Sequence, residues 1–148
     1  MLSTIQQLRE VAVRCRQGEA LPEPVAAWLA RSLDDFLSHR SPTIEQAMGI
    51  RHPRGGVPWW MEEAIRKRDG ALRALAERLL PGASAGIQAR QIHALAVRYA
   101  AAGWTLEREL EEPPPGHRGK PQEHLWLAFK SGAPMPIGPR QIRSILAR

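Results

Sequence analysis

The sequence predicts an all-α fold, and three observations support this prediction. Apolar residues recur at spacings of three and four along most of the chain, which is the period of an amphipathic helix. No stretch alternates apolar and polar residues for long enough to indicate a strand. Gaps rich in proline and glycine at 49–58, 81–86 and 112–121 separate the helical segments. We therefore expect one compact bundle over residues 1–148, with about four long and two or three short helices.

The first two predicted helices lie in the N-terminal third of the chain. The first runs from Ser3 to Gln17 and ends at Gly18, because glycine commonly terminates helices. The second carries apolar side chains on one side from Val25 to Phe36.

A short helix follows in the segment "SPTIEQAMGI". Ser41 can cap it, Pro42 fits a first turn, and Thr43 with Gln46 matches a capping box. Gly49 is expected to end this short helix. The next helix begins too late for a helix-turn-helix motif, whose second helix follows within three or four residues.

The third long helix, about residues 58–80, has an arginine inside its apolar seam. Arg68 shares that seam with five apolar residues: Met61, Ile65, Leu72, Leu75 and Leu79. We predict that its stem packs in the core and that its guanidinium meets a carboxylate such as Asp34 or Asp35, or a helix end, because an unpaired buried charge is costly. The alternative is that Arg68 lines a groove for an anionic ligand.

The fourth long helix begins near 84–88, and its periodicity continues to Glu112. It has two apolar sides, which is typical of an element buried on both. We therefore expect Tyr99 and Leu106 to be buried within the protomer. Trp104, on the other side, should contact the C-terminal helices or a second chain.

The chain closes with a short helix around "QEHLWLAFKSG" and a terminal helix in "GPRQIRSILAR". In the terminal helix, Ile142, Ile145 and Leu146 share one face, while Arg140 and Arg143 occupy the opposite face. The sequence predicts that the apolar face docks on the domain. The two arginines then either contact a polyanion or form the solvated side of an ordinary helix.

The positive charge of the chain is concentrated near its C-terminus. The net charge is +6, and residues 113–148 contain six basic side chains but only one acid, Glu123. A focused positive field attracts nucleic acid, anionic lipid or an acidic protein, and of these we expect DNA or an acidic protein as partner. However, 18 of the 21 basic residues are arginine, which the codon bias of a GC-rich genome also produces without any function.

Composition indicates a cytoplasmic protein that does not span a membrane. Hydrophobic residues make up 43% of the chain, but no apolar run has the roughly 18–20 residues of a membrane span. The N-terminal segment lacks the features of a signal peptide. The single cysteine, Cys15, excludes an internal disulfide and suits a reducing compartment.

The residue patterns do not favour an enzyme, a metal site or a cofactor. The five histidines do not have metal-ligand spacing. The segment "PPGHRGKP" lacks the first glycine and the Ser or Thr of a phosphate-binding loop. We therefore expect a non-enzymatic binding protein without metal or cofactor.

Two sets of residues are candidates for the binding role. The first set would contact DNA phosphates and comprises Arg51, Arg54, Arg118, Lys120, Lys130, Arg140 and Arg143. The second set would serve a protein-interaction adaptor without nucleic-acid contact and comprises Trp59, Trp60 and Trp104. Trp59 and Trp60 could instead stack on bases or fasten the preceding loop to its helix. A homodimer is compatible with either function.

Several segments together resemble a set of short, uncharacterised helical proteins of GC-rich proteobacteria, often associated with prophages or other mobile elements. These segments are "LPEPVAAWLARSLDDFL", "TIEQAMGIR", "RDGALRALAERL", "YAAAGWTLERE", "LWLAF" and "RQIRSIL". The resemblance extends over nearly the whole chain and implies a bacterial, cytosolic setting, without an assigned activity. Small DNA-handling proteins and adaptor proteins both occur in such settings.

Overall fold

A computed structural model describes residues 3–52 and 54–148, so Met1, Leu2 and Pro53 lie outside the described residues. Within these ranges the only regular elements are helices, which confirms the all-α prediction. The helices are α1 (Thr4–Gln17), α2 (Glu23–Leu37), α3 (Ile44–Met48), α4 (Trp59–Leu79), α5 (Ala85–Ala101), α6 (Gly103–Glu107), α7 (Pro121–Lys130) and α8 (Pro139–Leu146), with a single 3-10 turn at Pro115–His117.

The contacts divide the chain into two compact units, Met1–Trp59 and Trp60–Arg148. In the first unit, α2 contacts both α1 and α3. In the second unit, α5 contacts both α6 and α8. The expectation of one domain over the full length stays a prediction, and we describe each unit by itself.

The predicted ends of α1 follow from local hydrogen bonding. The Ser3 hydroxyl accepts the backbone N–H of Gln6, and the Gln6 side-chain oxygen accepts the N–H of Ser3 at 2.8 Å. Gly18 ends the helix in the left-handed conformation, with φ of 67°. Both ends of α1 can be recognised in the sequence, because a reciprocal capping box and a terminal glycine depend only on neighbouring residues.

The short helix α3 also ends at a glycine, and Thr43 rather than Ser41 caps its start. The Thr43 hydroxyl accepts the backbone N–H of Gln46 at 3.2 Å. Gly49 ends α3 with φ of 75°. α3 therefore stops well before α4 begins, as the sequence spacing requires.

The core of the second unit is built from α4, α5, α7 and α8. Its largest fully buried side chains are Leu72, Leu75, Ile92 and Ile142. The five-residue connection between α4 and α5 is held by Gln88, whose side-chain nitrogen donates to the carbonyl of Leu80 at 3.0 Å. α8 contributes Ile142 to this core, and this packing holds the helix in place.

Arg68 is buried and paired, as predicted, but its partner is not the predicted one. The Arg68 side chain is 10% exposed, and its Nε and Nη2 both donate to Asp69 Oδ1, at 2.9 and 2.7 Å. Its Nη1 donates to the carbonyl of Pro134 at 2.7 Å. The suggested partners Asp34 and Asp35 were wrong, because the next residue along α4 and a distant carbonyl already satisfy the guanidinium.

The fourth long helix is shorter than the sequence predicted. It ends at Ala101 instead of continuing to Glu112, because Ala102 leaves the helical region with φ of −132° and ψ of −71°. The Tyr99 ring lies so close to Gly103 that a Cβ at position 103 would be 2.8 Å from ring carbons. Any larger residue at position 103 would therefore have to displace the Tyr99 ring where the chain turns from α5 into α6.

The break changes the environment of the residues that follow it. Leu106 is 83% exposed, so the prediction of a buried Leu106 was wrong. Its spacing matched the core face of α5, but α6 does not continue that face. Tyr99 and Trp104 are both half-buried. Trp104 contacts the ring of Phe129 on α7 at a centroid distance of 5.4 Å, which confirms its predicted contact with a C-terminal helix.

Candidate functional site

The terminal helix α8 is fixed to the second unit by one face. Ile142 and Ile145 are 1% and 4% exposed, and Leu146 packs at the edge of the same core. Arg73 on α4 adds a polar contact, because its Nε donates to the carbonyl of Ile145 at 3.2 Å. The predicted docking of α8 is confirmed, and its outer face has a defined direction.

Arg140 and Arg143 lie on that outer face. Both side chains are exposed, and neither guanidinium group forms a hydrogen bond or an ion pair with any residue in the described ranges, although the carbonyls of both residues accept hydrogen bonds within α8 and at its end. Residues three apart on a helix are surface neighbours, with Cβ atoms about 5–6 Å apart. α8 therefore presents two adjacent guanidinium groups whose donors are available to a ligand.

The other predicted cations of the second unit lie at the two ends of α7. Arg118 and Lys120 are exposed just before α7, whereas Lys130 ends it. A ten-residue helix is about 15 Å long, so Lys120 and Lys130 lie at opposite ends of α7. The Lys130 ammonium donates to the carbonyl of Arg108 at 2.7 Å and lies over the Trp126 ring. Lys130 thus already has a structural role.

Arg51 and Arg54 belong to the first unit, where the fold brings them to one place. Together with Gln46, Gly49 and His52 they line an open cavity of about 410 Å³. The Arg51 Nη1 donates to Gln46 Oε1 at 3.1 Å. The seven predicted cations therefore divide into the cavity pair, the α8 pair and the three residues that flank α7.

Many other arginines of the chain are neutralised by a nearby carboxylate. Four examples, the half-buried Arg14 and three exposed arginines, pair with an acid of their own or a neighbouring segment: Arg14 with Glu10, Arg40 with Asp35, Arg66 with Glu62 and Arg108 with Glu109. Between residues 113 and 148 the sole acid, Glu123, accepts the backbone N–H of Gly119 at 2.7 Å. The arginines of α8 consequently keep their charge uncompensated.

A polar cluster around Glu107 was not predicted from the sequence. One carboxylate oxygen of Glu107 accepts the Tyr99 hydroxyl at 2.5 Å, and the other lies 3.0 Å from His117 Nε2. Burial, together with the hydrogen bond to Glu107, raises the pKa of Tyr99 well above its ordinary value. The phenol therefore stays protonated and serves as a donor, so this cluster joins α5, α6 and the 3-10 turn. Gly103, which follows the break at Ala102 and begins α6, was the residue in the sequence that could have indicated this arrangement.

The three candidate tryptophans differ in exposure. Trp104 lies against Tyr99 and Phe129 and is half-buried. Trp59 is also half-buried, whereas Trp60 is 55% exposed at the start of α4. Of the predicted adaptor residues, Trp60 thus offers the largest surface to a partner.

The described residues contain neither a cluster of metal-ligand side chains nor a helix that could span a membrane. In ranges 3–52 and 54–148 no group of three or more His, Cys, Asp or Glu side chains could hold a metal ion. None of the helices in these ranges is both long and apolar enough to cross a membrane.

Comparison with protein-family models, with curated proteins and with solved structures gave no match to this chain. The resemblance to helical proteins of mobile elements therefore stays a prediction. The function of the chain has to be inferred from its own geometry.

Proposed function

We propose that this chain is a non-enzymatic DNA-binding protein that contacts the phosphate backbone through Arg140 and Arg143 of α8. The observation that supports the proposal is that α8 is docked by Ile142 and Ile145 while both guanidinium groups face outward without a protein partner. A small accessory or regulatory protein of a phage or mobile element is the role that fits best.

The chemistry of α8 favours phosphate over other anions. Guanidinium groups donate in a planar fork that matches the oxygens of a phosphate. Residues 113–148 add further positive charge with one acid, which Gly119 already engages. Contacts of this kind provide affinity without choosing a base sequence. We therefore expect strong dependence on salt and weak dependence on DNA sequence.

The test is a salt titration of binding to a fluorescently labelled duplex, followed by anisotropy. The double variant Arg140→Ala/Arg143→Ala should flatten the slope of log affinity against log salt by up to about two units, because each phosphate contact contributes about 0.9. Arg90→Ala/Arg98→Ala is the matched control, since both residues are exposed on α5 and the charge change is equal.

The control separates a specific contact from general charge. An equal loss of slope in both double variants would assign binding to net charge and contradict the role of α8. No binding of the wild type to any duplex at low ionic strength would reject the proposed function.

A protein-interaction adaptor is the second candidate, and exposed apolar side chains favour it. Leu33, Phe36 and Leu37 follow a helical spacing on α2 and are 40%, 39% and 71% exposed, and Trp60 is 55% exposed. Such patches commonly bind proteins. Sedimentation of the wild type against Leu37→Ser and Trp60→Ala would reveal self-association through these residues, including the predicted homodimer.

A further inference from the structure

The open cavity of the first unit has the composition of an anion site. Of the described residues that line it, Arg51 and Arg54 carry a positive charge, while Gln46 and His52 carry polar side chains. No carboxylate is present among these described lining residues. Two guanidinium groups in one cavity repel each other, so an anion between them would lower the electrostatic energy.

The local structure orients part of this lining. The Gln46 side-chain oxygen accepts from Arg51 Nη1 at 3.1 Å, which leaves further N–H donors of that guanidinium available. Gly49 lies at the cavity with φ of 75°, and its missing side chain leaves open space around it. Gly55, with φ of 80°, turns the chain directly after Arg54.

We infer that this cavity binds a phosphate monoester. A monoester carries close to two negative charges at neutral pH and offers three oxygens to the donors. The cavity of about 410 Å³ is open to solvent and therefore leaves room for a group attached to the phosphate. The ligand is therefore either a free nucleotide or the phosphorylated end of a nucleic-acid strand, which share this chemistry.

This site is independent of the proposed duplex contact. It lies in the first unit, whereas Arg140 and Arg143 lie in the second. It also recognises a terminal phosphate group, whereas the α8 arginines would contact phosphodiesters. Failure of duplex binding would leave this inference intact, and the reverse also holds.

The experiment is a titration of the ¹⁵N-labelled full chain, monitored by ¹H–¹⁵N correlation spectra at constant ionic strength. The probes are inorganic phosphate, adenosine 5′-monophosphate and, as a neutral control, adenosine. The amides of Gly49 and Gly55 report on the site, because glycine signals are usually well separated. We expect saturable shifts of these signals with the two phosphates and none with adenosine.

Variants assign the effect to the cavity. Arg51→Ala/Arg54→Ala should lower the affinity about tenfold or more, since each charge-assisted hydrogen bond contributes strongly. Arg51→Lys keeps the charge but removes the fork, so it should also weaken binding. Arg31→Ala, which removes an exposed charge of α2 outside the cavity lining, should bind as the wild type does.

The source of the phosphate follows from a last comparison. A 5′-phosphorylated single strand that binds more tightly than both its 5′-hydroxyl form and the nucleotide identifies a strand end, while equal binding of the phosphorylated strand and the nucleotide identifies the phosphate group alone. Both results support the site. Absence of saturable shifts, or equal affinity in the wild type and the Arg51→Ala/Arg54→Ala variant, would overturn the inference.

Discussion

Arg68 on α4 and Arg143 on α8 carry the same side chain in the same unit, yet their surroundings are opposite. The Arg68 guanidinium is 10% exposed and is satisfied by Asp69 and by the carbonyl of Pro134. Arg143 is exposed and has no partner within the described ranges. The Arg68 guanidinium has exchanged water for protein partners. The Arg143 guanidinium stays hydrated, and no carboxylate in the described ranges pairs with it.

This difference shows why the net charge of +6 says little about binding on its own. A buried and paired arginine contributes to folding but does not attract a ligand. An exposed arginine without a carboxylate near it contributes to the field that a polyanion meets. Partners therefore distinguish structural from functional cations, and mutations at both places can test the distinction.

The largest effect should come from Asp69→Ala. This change leaves the Arg68 guanidinium buried without its counter-charge, which is expected to lower the free energy of unfolding by about 3–5 kcal/mol. Glu77→Ala, an exposed acid of the same helix, should change it by less than about 0.5 kcal/mol. Urea unfolding followed by circular dichroism measures both. A loss in Asp69→Ala no greater than in the control would mean that the pair is not buried in solution.

Arg68→Ala should lower the free energy of unfolding by about 1–3 kcal/mol, because it removes the hydrogen bonds to Asp69 and Pro134 and leaves the Asp69 carboxylate without its counter-charge. The loss should be smaller than in Asp69→Ala, since the shorter side chain lets water reach that carboxylate. Lys67→Ala, one residue earlier and exposed, is the control. The double variant Arg68→Ala/Asp69→Ala should lose less than the two single losses combined, since the second change no longer strands a charge. Additive losses would show that the two side chains act independently.

Tyr99 extends the comparison to a half-buried polar group. Its pKa is raised in the folded state, so the protonated phenol stabilises the fold below the ordinary pKa of 10.0, and this contribution is lost as pH rises beyond that value. Unfolding at several alkaline pH values should show a steeper loss for the wild type than for Tyr99→Phe. Because the chain has one tyrosine, tyrosinate absorbance reports this group directly. Titration of the folded protein near pH 10.0 would contradict the buried hydrogen bond to Glu107.

The smallest effect on stability should come from Arg140→Ala/Arg143→Ala. Neither side chain touches the core, so we expect a change within about 0.5 kcal/mol and unchanged helix content. Thermal unfolding by circular dichroism measures this. A loss comparable to that of Arg68→Ala would show that the α8 arginines are structural and would remove the contrast from which their binding role was proposed.

The sequence allowed prediction of the features that depend on neighbouring residues. The ends of α1 at Ser3 and Gly18, and the docked face of α8, follow from capping and from helical period. The burial of Arg68 followed from its place in an apolar seam. Its partner could not be predicted in this way, because the carbonyl of Pro134 is 66 residues away along the chain.

The break between α5 and α6 shows where periodicity fails. Apolar spacing continues past Ala102, but the path of the chain depends on the Tyr99 ring that lies against Gly103. The cluster around Glu107 exists only because of this break, so it could not be predicted from a continuous helix. The cavity at Arg51 likewise depends on how the chain folds after α3. The sequence had indicated both of its arginines as phosphate contacts, but not the cavity that they line.

The exposed segment between α3 and α4 has a consequence for proteolysis. It contains Arg51 and Arg54 outside any helix, directly before the boundary of the two units at Trp59. Trypsin should therefore cut here more readily than at Arg140 and Arg143, whose backbone is helical. The cut would release α1 to α3 as one fragment and α4 to α8 as another. Co-migration of the two fragments under native conditions would support a single domain, and separation would identify two that fold independently.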